Sequence, residues 1–160
     1  MTIAVGDRLP DVEVQTMGRE GPRTLRTGEM LGKGKVVLFA VPGAFTPTCS
    51  DHHLPGFVVR AADLHAKGVD RIVCVSVNDA YVMGAWARER KVGDSVLMLA
   101  DGNGDFTRAM GLEMDGSGIG LGIRSQRYAA IIDDGVVTSL FVEPGPGLNV
   151  SSAASVMAAL

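Results

Sequence analysis

The residue with the clearest capacity for chemistry is Cys49. It closes the stretch Val36-Val37-Leu38-Phe39-Ala40-Val41-Pro42-Gly43-Ala44-Phe45-Thr46-Pro47-Thr48-Cys49. The stretch opens as an apolar, β-branched run of strand length and turns at Pro42-Gly43. A longer segment with helical spacing then begins. Pro47 suits its first turn, where a missing N–H costs nothing, and Thr46 is expected to cap it. Cys49 is therefore placed in the opening turn of a helix, just past a buried strand. Unpaired backbone N–H groups and the positive end of the helix dipole favour a thiolate there. The competing reading is an inert cysteine that packs as a small hydrophobe. The polar flank of Thr46, Thr48, Ser50, Asp51, His52 and His53 argues against it.

A reactive sulfur needs cationic donors beside it, because a guanidinium offers a charge and a rigid fork of N–H groups. The junction Gly122-Ile123-Arg124-Ser125-Gln126-Arg127-Tyr128 supplies Arg124 and Arg127. For either one the alternative is a solvated surface arginine. The Thr46 hydroxyl can both donate and accept. His53, four residues after Cys49, shares its face on a helix and is a secondary candidate for tuning the sulfur, with capping or core packing as the alternative. Cys74 lies between Val73 and Val75 in a strand-like run. It reads as a packing residue, and a role as a resolving thiol is the less favoured reading.

Several other motifs lead nowhere. His52 and His53 are too few for a metal site. Trp86 and Phe45 read as core aromatics. Asp101-Gly102-Asn103-Gly104-Asp105 resembles the start of a calcium loop, but Leu112 stands where the loop's last glutamate belongs, so it reads as a turn. Gly116 to Gly122 has weak phosphate-loop spacing without Gly-Lys-Ser/Thr and reads as a flexible loop. No metal and no cofactor is expected.

The elements that position these residues follow from periodicity. Residues 5–34 form an irregular N-terminal extension in which Asp11 to Gln15 alternates as an exposed strand would. Strands are expected at 35–41, 71–77 and 96–100. Helices are expected at about 47–67, kinked at Pro55-Gly56, and at 79–90 and 105–110. Asp133-Asp134-Gly135 joins two apolar runs into a hairpin, 127–132 with 136–142, and a helix over 151–160 closes the chain. The alternation predicts an α/β fold: a thioredoxin-like arrangement in which helices flank a central mixed β-sheet. With no linker or repeat, residues 1–160 are expected to form a single domain.

The 160 residues carry a formal net charge of −3, which gives no basic footprint for nucleic acid. No apolar run is long enough for a membrane span. Two cysteines without a Cys-x-x-Cys spacing make neither a disulfide scaffold nor a zinc site. A soluble protein of a reducing compartment, the cytoplasm, is the expectation.

Pro42-Gly43-Ala44-Phe45-Thr46-Pro47-Thr48-Cys49 resembles the peroxiredoxin active-site motif: proline, three residues, threonine, two residues, cysteine. The longer Val-Pro-Gly-Ala-Phe-Thr-Pro-Thr-Cys-Ser, followed by His53-Leu54-Pro55-Gly56-Phe57, is similar to the peroxiredoxin-5-like (type II) branch. The likeness runs from about Val5 to the C-terminus. It implies a thiol peroxidase that reduces hydrogen peroxide and alkyl hydroperoxides through a sulfenic acid on Cys49. Thr46 and Arg127 would hold the peroxide, Pro42 would shield the pocket, and Arg124 is a secondary candidate. Some animal members of the branch carry a resolving cysteine near the C-terminus, where Val150 stands here. Glutathione, glutaredoxin or thioredoxin is therefore the expected reductant, with a homodimer as the expected assembly. Two other readings remain open: a thioredoxin-fold disulfide oxidoreductase, and a non-catalytic redox-sensing or binding domain.

Overall fold

The computed structural model describes all residues, Met1–Leu160. Nine strands and six α-helices follow in the order β1 (Glu13–Gly18), β2 (Gly21–Arg26), α1 (Thr27–Met30), β3 (Lys35–Ala40), α2 (Leu54–Val59), α3 (Ala61–Ala66), β4 (Arg71–Ser76), α4 (Ala80–Glu89), β5 (Leu97–Ala100), α5 (Asp105–Met110), β6 (Glu113–Asp115), β7 (Ile123–Ser125), β8 (Tyr128–Asp133), β9 (Val136–Val142) and α6 (Ala153–Ala159). Seven strands make one sheet in the order β2-β1-β5-β4-β3-β8-β9. The pairs β3/β4 and β4/β5 are parallel, and the other neighbours are antiparallel. This is the expected mixed central sheet of a thioredoxin-like fold.

Period-two alternation decides which core each side chain joins. Val37, Phe39 and Val41 face the same way as Ile72 and Cys74, and pack with Leu54, Phe57 and Leu64 of α2 and α3, Met83 and Trp86 of α4, and Val156 of α6. Val36, Leu38 and Ala40 face the other way with Val73 and Val75, and pack on Phe106 and Met110 of α5. Burial on both faces is why β3 and β4 read as continuous apolar runs.

Three elements differ from the sequence reading. The N-terminal extension is not irregular beyond residue 15: β1 and β2 form an antiparallel hairpin at the sheet edge, with Val14 facing Leu25. The polar stretch Gly21-Pro22-Arg23-Thr24-Leu25-Arg26 carries no strand signal because the edge strand it forms is mostly exposed. Glu113–Asp115 and Ile123–Ser125 pair as a separate two-stranded ribbon around the glycine-rich loop.

The helix expected over 47–67 is not a single element. Residues Cys49–His53 form a π-helical turn in which the Leu54 N–H donates to the Cys49 carbonyl. Pro55 then sits at the start of α2. The widened turn carries the chain past the point where the proline ring would meet the carbonyl four residues back. The break comes instead at Arg60, between α2 and α3.

The turn at 101–105 is a built one. The buried Asp101 carboxylate accepts from the backbone N–H groups of Phe106 (3.0 Å) and Thr107 (2.8 Å) and from the Thr107 hydroxyl (2.7 Å), tying β5 to α5. Replacing Asp101 with alanine orphans these buried donors. A loss of about 1–3 kcal/mol is expected in urea unfolding, with m unchanged. An unmoved midpoint would contradict this account of the turn.

Candidate active site

Cys49 and Arg127 are 78 residues apart in sequence and are brought together by strand pairing. The β3/β8 register places Ala40 opposite Tyr128. Arg127, one residue before β8, therefore lies at the end of β3 from which the Cys49 loop departs. Arg127 is 5% exposed, and its Nη2 donates to Cys49 Sγ at 3.1 Å. Cys49 itself is fully buried. Its helix begins at Pro47, and the Ser50 N–H donates to the Thr46 carbonyl at 2.9 Å. The first turn is pinned from outside as well: the buried Trp86 Nε1 donates to Ser50 Oγ at 2.9 Å.

His53 joins the same cluster. Arg127 Nη1 lies 2.9 Å from His53 Nδ1, and His53 Nε2 lies 2.9 Å from the Ser151 carbonyl oxygen. Guanidinium can only donate, so Nδ1 accepts; a carbonyl can only accept, so Nε2 carries the proton. Burial first, and then the Arg127 charge, push the His53 pKa down to about 4. The imidazole is neutral, as the geometry requires. The sequence favoured capping or core packing for His53 over a role at the sulfur; in the structure it is buried and bonds to Arg127 rather than to the sulfur itself.

Thr46 differs in detail from its expected role. Its hydroxyl does not cap the helix but donates to the Gly43 carbonyl at 2.7 Å. Its oxygen keeps lone pairs for a donor such as a hydroperoxide O–H. Pro42 is half-buried, and its carbonyl lies 3.5 Å from Arg124 Nη1. Arg124 also donates from Nε to the Leu121 carbonyl at 2.9 Å. It clamps the glycine-rich loop to the Pro42 turn and makes no hydrogen bond to the sulfur. A Cβ on Gly43 would stand 3.1 Å from Thr46 Cγ2 and 3.2 Å from Arg124 Nη1, so a larger residue there would push on both side chains. Asn78 Oδ1 holds the same loop by accepting from the Ala44 N–H at 3.0 Å.

Cys74 lies in β4 as expected, facing the same core as Cys49, and both thiols are free. Burial pushes its thiol well above the ordinary range, helped by the nearness of Cys49 and opposed by Arg127. The groups to which sequence reasoning gave no part in the site are Gly43, Ser50, Asn78 and Ser151. Each acts through a partner distant in sequence or through a backbone atom, so no local pattern announces it. Of the two aromatics expected as core, Trp86 is buried and is also an anchor, whereas Phe45 is 49% exposed. A groove of about 680 Å³ lined by Arg19, Arg71, Arg88 and Lys91 holds none of the site residues.

A buried sulfur at a helix start, bonded to a guanidinium on a thioredoxin-like sheet, is the arrangement of a thiol-based redox enzyme. Residues 4–157 match the Redoxin family model. The chain is 54% identical over 164 residues to peroxiredoxin-2E-2, chloroplastic, of Oryza sativa subsp. japonica, covering 99% of this chain and 73% of that protein. It is 46% identical to peroxiredoxin-2B of Arabidopsis thaliana, covering 99% and 98%. The crystal structure of reduced Prx3 from Vibrio vulnificus in complex with H2O2 superposes with a TM-score of 0.94 at 53% identity, covering 99% of each chain. The chain belongs to the Redoxin family, among the peroxiredoxins, and is a thiol-dependent peroxidase.

The His53 geometry carries a pH dependence. An imidazole titrates at 6.5 when unperturbed and at about 4 here, so below 6.5 the unfolded chain takes up a proton that the native state refuses. Stability is full above 6.5 and falls as pH drops towards 4, by roughly 3 kcal/mol from this group. The measurement is urea unfolding across that window in wild type and in His53→Gln, where the slope is expected to flatten. Superimposable profiles would remove His53 as the cause.

Proposed function

We propose that Cys49 is the nucleophile of the peroxidase reaction, with Arg127 and Thr46 holding the peroxide and Pro42 excluding water. The Cys49 thiolate attacks the nearer peroxide oxygen. An S–O bond forms as the O–O bond breaks, sulfur is oxidised to the sulfenic acid, and the departing oxygen leaves as water or an alcohol after taking a proton. The observation that carries this reading is the 3.1 Å bond from Arg127 Nη2 to Cys49 Sγ. It puts a fixed donor where charge shifts from sulfur to oxygen, and such preorganised donors are the largest single source of rate in many enzymes. Cys49→Ser is expected to abolish peroxide consumption in stopped flow. Arg127→Ala is expected to slow it by about 10²–10³-fold. Cys74→Ser should leave the first oxidation nearly unchanged, and equal loss in both cysteine variants would sink the single-nucleophile assignment.

The reductant we propose is an external thiol: glutathione, or a cysteine of glutaredoxin or thioredoxin. Its thiolate attacks the sulfenic sulfur, water leaves, and a mixed disulfide forms that a second thiol resolves. Cys74 is held in the β4 ladder opposite Phe39 and its thiol is kept protonated by burial, which disfavours it as resolving partner. Intact-mass analysis after one equivalent of peroxide is expected to show one added oxygen, or a glutathione adduct when glutathione is present. Quantitative loss of two hydrogens within one chain would overturn this.

The assembly we propose is a homodimer packed through loops around the active site. The support is that Phe45, Ile119, Ile123 and Val150 are exposed apolar residues on segments that frame Cys49 and Arg127. Sedimentation is expected to give a dimer at high micromolar concentration, and monomer alone, reduced and oxidised, would refute it. We also propose that residues 1–160 act as one domain, since both cores are built on one sheet. A cytoplasmic location suits its two free thiols; cell fractionation placing the protein in an oxidising compartment would refute it.

A further inference from the structure

The side chain of Arg127 is held, apart from the sulfur, by His53, and His53 is held by a segment that a remote carboxylate organises. Glu143 follows β9 directly and is 5% exposed. One of its oxygens, Oε2, accepts four hydrogen bonds: from the backbone N–H groups of Asn149 (2.9 Å), Val150 (2.8 Å) and Ser151 (2.8 Å), and from the Ser151 hydroxyl (2.7 Å). Burial pushes the carboxyl up, but these donors outweigh it and hold the group below the usual carboxylate range. Four donors on one oxygen suit a full negative charge far better than a neutral acceptor.

The consequence runs to the sulfur. Three successive amides wrapped on one oxygen fix the backbone of 149–151, and with it the Ser151 carbonyl. That carbonyl takes the Nε2 proton of His53 at 2.9 Å. A neutral imidazole has one N–H, so Nδ1 is left as a lone pair, and in that tautomer it accepts from Arg127 Nη1 at 2.9 Å. Because the guanidinium is planar, holding Nη1 orients Nη2, which meets Cys49 Sγ at 3.1 Å. Glu143 also grips the arginine's main chain, since its N–H donates to the Arg127 carbonyl at 2.9 Å. One residue thus fixes both ends of Arg127.

We propose that Glu143 is a positioning residue for peroxide reduction: it orders residues 149–151, sets the tautomer of His53, and through it aims the Arg127 guanidinium at Cys49. The inference rests on the reading of Arg127 as the peroxide-holding group.

The test is made on the full chain. In the wild-type protein, ¹⁵N–¹H correlation of the imidazoles is expected to show His53 protonated at Nε2 alone; protonation at Nδ1 would overturn the proposal without any variant. Glu143→Gln keeps the shape and loses the charge. It is expected to shift the His53 signals towards a tautomer mixture and to lower the stopped-flow rate constant for hydrogen peroxide by about 10- to 100-fold, the scale of misplacing a group by about 1 Å. The same substitution in a His53→Ala background is expected to cost little more, because the route through His53 is already cut. A purely structural role predicts losses that multiply in the double variant, and that result would overturn the proposal. So would a Glu143→Gln protein with the wild-type His53 spectrum and rate. Arg127→Ala separates the two levels: if it collapses the rate while Glu143→Gln does not, the inference fails alone; if it leaves the rate intact, the reading of Arg127 fails and takes the inference with it.

Discussion

The constraint on which the site depends is the cost of keeping the Arg127 guanidinium out of water. A buried cation is costly to the extent that its N–H groups lack acceptors, and the acceptors must not carry positive charge themselves. Arg127 has two such partners, the Cys49 sulfur and His53 Nδ1. The first is the atom we propose as the nucleophile. The second can serve only while the imidazole stays neutral, which burial and the arginine's own charge both enforce. The arginine, the histidine and the sulfur therefore define one another's states, and no member can be altered electrostatically without disturbing the others.

That cluster exists because of strand order. β3 lies between β4 and β8 at the heart of the sheet, paired parallel with one and antiparallel with the other. The antiparallel register brings the residue before β8 to the end of β3. The Pro42-Gly43 turn and the helix start then fold Cys49 back over it. The π-helical turn sets the direction of the first helical residues, and Trp86 on α4 secures them through Ser50. A ladder of backbone bonds fixes where the strand ends meet, and a few side-chain bonds fix the remaining fraction of an ångström that chemistry needs.

Much of this was legible in the sequence and some was not, for identifiable reasons. β3, β4 and β8 are visible because strands buried on both faces must be apolar throughout. Cys49, Thr46 and Pro42 are visible because turn chemistry, helix-start chemistry and a family motif coincide in one short stretch. β2 was invisible because an exposed edge strand has no apolar period to read. The π-helical turn was invisible because five residues of helix look alike to periodicity whichever carbonyl they bond. Thr46 was misjudged as a cap because a hydroxyl beside a helix start can bond forwards to an amide or backwards to the Gly43 carbonyl, and only the loop's path decides. Glu143 escaped because a carboxylate after a strand reads as a surface charge until the chain returns with three amides to surround it.

The two cysteines show that burial alone does not decide the chemistry of a thiol. Both are fully buried, both are free, and both face the same core. Cys74 sits in a central strand with apolar neighbours and no hydrogen-bond donor, and burial drives its thiol well above the ordinary range, towards the inert, protonated form. Cys49 loses the same solvent, but a guanidinium hydrogen bond replaces it. Removing water leaves a sulfur with whatever partners the fold supplies, and the fold supplies Cys49 with a fixed guanidinium donor. The same apolar core thus surrounds both sulfurs, and what separates them is one hydrogen bond from Arg127, the residue just before β8, which reaches Cys49.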